Sequence, residues 1–88
     1  MNKATLRGTE ARIVWGYQPA VRLCAWSVEN TSGRKVLTGS ILETDPFRVA
    51  QQPLTFVVSR SAGLTWRWPV DELHIADRQV TATLGPQE

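Results

Sequence analysis

VRLCAWSVENTSGRKVLTGSILE, residues 21–43, decides how the rest of the chain is read. Its first ten residues (21–30) hold few helix formers and alternate small with large side chains. They run into Thr31-Ser32-Gly33, a turn cluster in which glycine is free to take positive φ. KVLTGSILE (35–43) follows at once, so the stretch predicts a β-hairpin. Gly39 in its second strand predicts a bulge or bend, of the kind small barrels need at corners.

The pattern repeats on the C-terminal side. In LTFVVSR (54–60), Leu54, Phe56 and Val58 share one face by the strand period of two. Ser61-Ala62-Gly63 predicts a turn. Leu64, Trp66, Trp68 and Val70 then share one face, with Thr65, Arg67 and Pro69 on the other. Pro69 lacks a ladder donor, which predicts that this strand ends there or lies at a sheet edge. LHIA (73–76) and VTATL (80–84), separated by Asp77-Arg78-Gln79, make a third pair. Leu73, Ile75, Val80, Ala82 and Leu84 are its apolar side, and Thr81 and Thr83 face water.

Upstream, residues 4–15 read as one bent strand interrupted at Gly8 or as two short ones, with Ala11, Ile13 and Trp15 on one face. DPFRVAQQP (45–53) is the single candidate for helix: Asp45 as cap, Pro46 at the first helical position, Pro53 as stop. An irregular crossover fits the same residues. GPQE (85–88) reads as a loose tail. The sum is one domain over 1–88. It is all-β: a small antiparallel β-barrel or strongly curled sheet of six to seven strands, with one short helical turn or irregular crossover at 45–53.

Composition agrees with a globular chain: 42% hydrophobic and 20% charged in 88 residues. No apolar run reaches the roughly 18 residues of a membrane helix, and the N-terminal residues lack the apolar core of a secretory signal. The expected compartment is therefore the cytoplasm. Cys24, the single cysteine, sits in an apolar run and reads as a small buried hydrophobe. Ten basic against eight acidic residues leave a net charge of +2, and eight of the ten are arginine. Arginine favours bidentate, stacked and interfacial contacts. The arginines are scattered singly, so no basic run announces a nucleic-acid partner.

Three stretches are candidates for function. Trp66-Arg67-Trp68 is either barrel wall or a stacking platform, but Arg67 projects away from the two rings. At least one tryptophan is expected in the core, the other semi-exposed at a rim. Glu72 and His74 share a face, but Ala76 occupies the position where a metal would need its third ligand, so neither metal nor cofactor is expected. The connection FRVAQQPLTF (47–56) offers Arg48, Gln51 and Gln52 as exposed polar groups, and Phe47 as an anchor for the loop or for a partner. No Gly-rich phosphate loop, nucleophile elbow or paired catalytic carboxylates accompany them, so an enzyme is not expected.

The order of features over residues 45–70 resembles that of small uncharacterised proteins of bacteriophages and proteobacterial prophages. These features are an Asp-x-Phe opening, a Gln-Pro-Leu-x-Phe strand, a Gly turn and Trp-x-Trp; the terminal Leu-Gly-Pro (84–86) is similar too. The resemblance covers about half the chain and implies a phage or mobile-element origin, in the host cytoplasm or the virion. It implies nothing about mechanism; small phage proteins of this size usually act by binding, either as particle components or as modulators of host proteins.

Two functions are thus expected from the sequence. The first is a protein-interaction module that binds a protein partner or itself through an edge near Pro69 and the 44–53 connection. The alternative is a single-stranded nucleic-acid-binding barrel of OB or SH3-like type. It would use Trp66 or Trp68 to stack and Arg48, Arg60 and Arg67 on the backbone. Near-neutral charge disfavours the alternative, because phosphate affinity grows with accumulated positive charge.

Overall fold

Residues 5–60 and 63–88 are described by the structure, a computed structural model. The long hairpin forms as its sequence predicts: β3 (Gln18–Thr31) runs into β4 (Arg34–Thr44). Ser32 and Gly33 join them with φ of 53° and 76°. Positive φ at both positions is the two-residue turn whose twist matches that of paired strands.

The hairpin is bent near Leu23. Arg22 pairs with Glu43, Leu23 with Ile41 and Ala25 with Ser40, so Leu42 and Cys24 each lack an opposite residue. These two bulges bring the curl that a barrel corner requires. This region corrects two expectations. Cys24 is exposed rather than buried: it takes the outward position after buried Val21 and Leu23, and the bulge leaves Ala25 outward as well before Trp26 turns in; its thiol donates to the Ser40 carbonyl at 3.6 Å. Gly39, in turn, is not a bulge but pairs regularly with Trp26. A Cβ there would lie 2.9 Å from the Ala25 carbonyl oxygen, so glycine is required by close backbone approach.

The N-terminal stretch forms two strands, β1 (Thr5–Gly8) and β2 (Ala11–Trp15). Both pair antiparallel with β3: β2 with its first half, β1 with residues 26–29. β5 (Leu54–Ser59) joins β2, β6 (Thr65–Ala76) joins β5, and β7 (Gln79–Leu84) bridges β6 to β4. With β3 paired to β4, this closes a six-stranded antiparallel barrel, and β1 lies outside it. Of the turn expected at Ser61-Ala62-Gly63, the first two residues lie outside the described residues; Gly63 has φ of 76°.

β6 does not stop at Pro69, as the missing donor had suggested. Pro69 and Arg67 direct their carbonyls away from β5: Gly85 N–H donates to Pro69 and Glu88 N–H to Arg67, each at 2.8 Å. In an antiparallel ladder a residue's N–H and C=O point to the same side. The proline nitrogen therefore faces the tail, and the β5 ladder loses nothing. The same two bonds correct the reading of GPQE as loose, since backbone groups of the tail run along β6.

The hairpin β6–β7 turns at Asp77 and Arg78 alone, with φ of 51° and 60°, and Gln79 is already in the strand. Positive φ at an arginine is unusual. Here it is held from outside: the Arg78 guanidinium donates to the carbonyls of Ile41 and Leu42, and its own carbonyl accepts from Ile41 N–H.

The barrel interior is aromatic at its centre. Trp68 stacks on Phe56 (ring centroids 5.5 Å apart), and Phe56 meets Trp26 edge-on at 5.4 Å. Ile13, Val21, Leu37, Val58 and Val80 fill the space around them. α1 (Pro46–Val49) lies against β3 and β2, capped as expected: Asp45 accepts from Phe47 N–H and Arg48 N–H, and Pro46 opens the first turn. The helix ends before Ala50, so Pro53 is not its stop; it stands immediately before β5 with a cis peptide bond.

Candidate interaction groove

β6 is one strand with two kinds of neighbour. From Thr65 to Val70 it pairs with β5. From Val70 onward it pairs with β7 and has left β5, whose first residue, Leu54, sits opposite Val70. A bulge between Val70 and Glu72 marks the departure. Past it, no backbone partner occupies the β5 side of β6 among the described residues.

The space so opened is a groove of about 740 Å³ between residues 49–54 and residues 70–75. Val49, Leu54, Val70 and Leu73 give it an apolar floor; Val49, Val70 and Leu73 are partly buried against the core and Leu54 belongs to it. Ile75 extends the floor outward and is 38% exposed. The rim is polar: Gln51 and Gln52 on one side, Asp71, Glu72 and His74 on the other. Among the described residues no lysine or arginine lines it, in a chain whose net charge is +2. Asp71 and Glu72 make no ion pair within 4 Å among the described residues.

Backbone direction follows from the turn. A two-residue hairpin closes on a hydrogen-bonded pair, here Ala76 with Gln79, and such pairs alternate along the ladder. Ala76, His74 and Glu72 thus spend their backbone bonds on β7. Leu73 and Ile75 point theirs into the groove, on the same residues whose side chains floor it.

The residues named from sequence do not all meet here. Gln51 and Gln52 line the groove, though the Gln51 amide is already engaged, donating to the Phe47 carbonyl at 3.0 Å. Arg48 is turned inward as a strut: Nε lies 3.4 Å from the Asp45 carboxylate and Nη1 donates to the Pro19 carbonyl at 3.2 Å. Phe47 is 67% exposed and touches Trp15 edge-on.

The tryptophan pair divides as expected, one core and one rim. Trp68 is 1% exposed, so neither ring face is open to a ligand, and its Nε1–H has no acceptor among the described residues. Trp66 is half-buried, meets Trp68 edge-on, and carries the Arg60 guanidinium 4.4 Å from its ring centroid. Arg67 projects from the opposite face of β6. Glu72 and His74 lie on the outer face with Thr81 and Thr83 across from them.

Asp71, Val70, Leu73 and Ile75 were missed as site residues. Their signal was present in the sequence, since Leu73 and Ile75 continue an apolar face past a proline on a strand with an acidic pair between. That signal reads as ordinary core until the parting of β5 from β6 is known. No helix among the described residues is long and apolar enough to cross a membrane. Compared with protein-family models, curated proteins and solved structures, the chain matches none.

Proposed function

We propose that this protein is a non-enzymatic β-barrel module that binds another protein through the groove between residues 49–54 and the second half of β6. One observation carries the reading: an apolar floor runs alongside backbone donors and acceptors that no strand of the barrel uses. Unpaired N–H and C=O groups beside apolar side chains are the features a protein segment recognises and a small polar metabolite does not. The likeness of residues 45–70 to small phage proteins supports a role as particle component or as modulator of a host protein.

The test is site-specific photo-crosslinking in the cell that makes the protein, with a benzophenone side chain at Gln52 or, as control, at Thr38 on the outer wall. A discrete protein adduct from Gln52 and none from Thr38 is the expected result. Equal labelling from both positions, or none, would overturn the reading. Oligonucleotides titrated at low salt should leave tryptophan emission unchanged, because Trp68 is buried and Trp66 already carries Arg60. Steep, salt-sensitive quenching would move the function to the Trp66–Arg60 end of the barrel.

A further inference from the structure

We infer that the groove takes an extended, cationic peptide segment of a partner protein, added as a strand to the free edge of β6 at Leu73 and Ile75. This rests on the protein-binding reading and specifies its mode and its partner's chemistry. Three features of the site converge on it.

The first is the edge itself. Leu73 and Ile75 present two N–H and two C=O groups in the spacing of an antiparallel ladder, with β7 holding the strand from its other side. An incoming strand would find its hydrogen-bond template already held in extended form by β7, so little ordering is required of the barrel.

The second is the floor. A strand laid on this edge places every second side chain toward the interior, over Leu73, Val70 and Leu54. Those positions call for apolar side chains. The Gln51–Gln52–Pro53 wall across the groove limits how much can be added: one strand, not a second sheet.

The third is charge, which selects among occupants. Asp71 and Glu72 border the edge, Asp77 closes its far end, and among the described residues no lysine or arginine lines the groove. Arg78, beside Asp77 in sequence, is committed to the Ile41 and Leu42 carbonyls. A second copy brought edge to edge would set these carboxylates against their own kind. Like charges across a strand pair are destabilising, and charged residues on an edge are a known guard against self-pairing. A segment that alternates apolar residues with Lys or Arg meets the opposite condition. Nucleic acid is repelled from the same groove by the same carboxylates.

The experiment is selection of random twelve-residue peptides displayed against the immobilised full chain. Winning peptides are then synthesised and titrated into the ¹⁵N-labelled protein, with amide exchange followed by NMR. Selected sequences should alternate apolar residues with Lys or Arg, and bound peptide should slow exchange at Leu73 and Ile75 by at least tenfold. The double variant Asp71→Lys/Glu72→Lys should weaken binding at least tenfold. So should Ile75→Pro, which removes an edge N–H that β7 does not use. Ile75→Lys serves as a second edge variant should the proline disturb folding, and unchanged tryptophan emission reports that the barrel is intact. Peptides that bind without protecting Leu73 and Ile75, or that are acidic, would overturn strand addition while leaving a protein-binding function in place. A selection that enriches no peptide at all would overturn both.

Discussion

The two halves of β6 carry opposite lessons. Residues 65–70 lie between β5 on one side and the C-terminal tail on the other, with Trp68 stacked on Phe56 in the barrel centre. Residues 71–76 are held by β7 alone, and Leu73 and Ile75 keep one edge of the strand toward the groove. The chain is continuous and both halves are extended. What differs is the number of neighbours, and from that follow burial, stability and the chemistry left over for a partner. A barrel with all its strands paired throughout would have no such remainder.

The comparison breaks most readily at its aromatic end. Trp68→Ala should cost about 3–5 kcal/mol of folding stability in urea denaturation, the range for deleting a large buried ring. Ile75→Ala on the open half should cost about 1 kcal/mol, since much of its side chain is already wet. Near-equal losses would contradict the division. Trp68→Phe sharpens it further. The unmatched indole N–H carries a desolvation penalty of about 1–3 kcal/mol, which the substitution removes, so it should cost well under Trp68→Ala.

Elsewhere in the barrel, the wall formed by β4 against β3 is tight. Gly39→Ala should destabilise by about 1–3 kcal/mol, because its Cβ would meet the Ala25 carbonyl at 2.9 Å and the Leu23 side chain at 3.2 Å. An unchanged denaturation midpoint would mean that the backbone there is looser than its packing implies. Removing residues 86–88 deletes the Glu88 donor to the Arg67 carbonyl and should cost about 0.5–1.5 kcal/mol in urea denaturation. Smallest of all, Arg60→Ala should cost about 0.5–1 kcal/mol through loss of the guanidinium over Trp66, and should shift tryptophan emission without touching the groove.

Much of the barrel is legible in the chain because turn chemistry and alternation are local. Ser32-Gly33 fixes one hairpin, Asp45-Pro46 sets the cap, and the apolar series Leu54, Phe56, Val58 is buried as its period requires. The errors have physical causes. Pro69 reads as a strand end or an edge position because it lacks a donor, but that lack matters only if the nitrogen faces the ladder, and its direction depends on the register with β5. Cys24 reads as buried from its apolar neighbours, but alternation after Val21 and Leu23 turns it outward, and the bulge that realigns Trp26 is set by the partner strand as well as by its own sequence. GPQE reads as loose because it has no large apolar side chain to bury, yet Gly85 and Glu88 are held through their backbone N–H groups alone. The groove was only half legible. Gln51 and Gln52 were picked out as reaching polar groups, and an edge near Pro69 was expected. That the edge opens after the proline, at Leu73 and Ile75, depends on where β5 begins.

Amide hydrogen exchange in the unliganded protein tests that claim most directly. Along β6, exchange should be slow at Glu72, His74 and Ala76, whose N–H groups bond β7, and fast at Leu73 and Ile75, whose N–H groups face the groove. Protection at Leu73 and Ile75 equal to that of their neighbours would mean the edge is already paired, and would contradict the account.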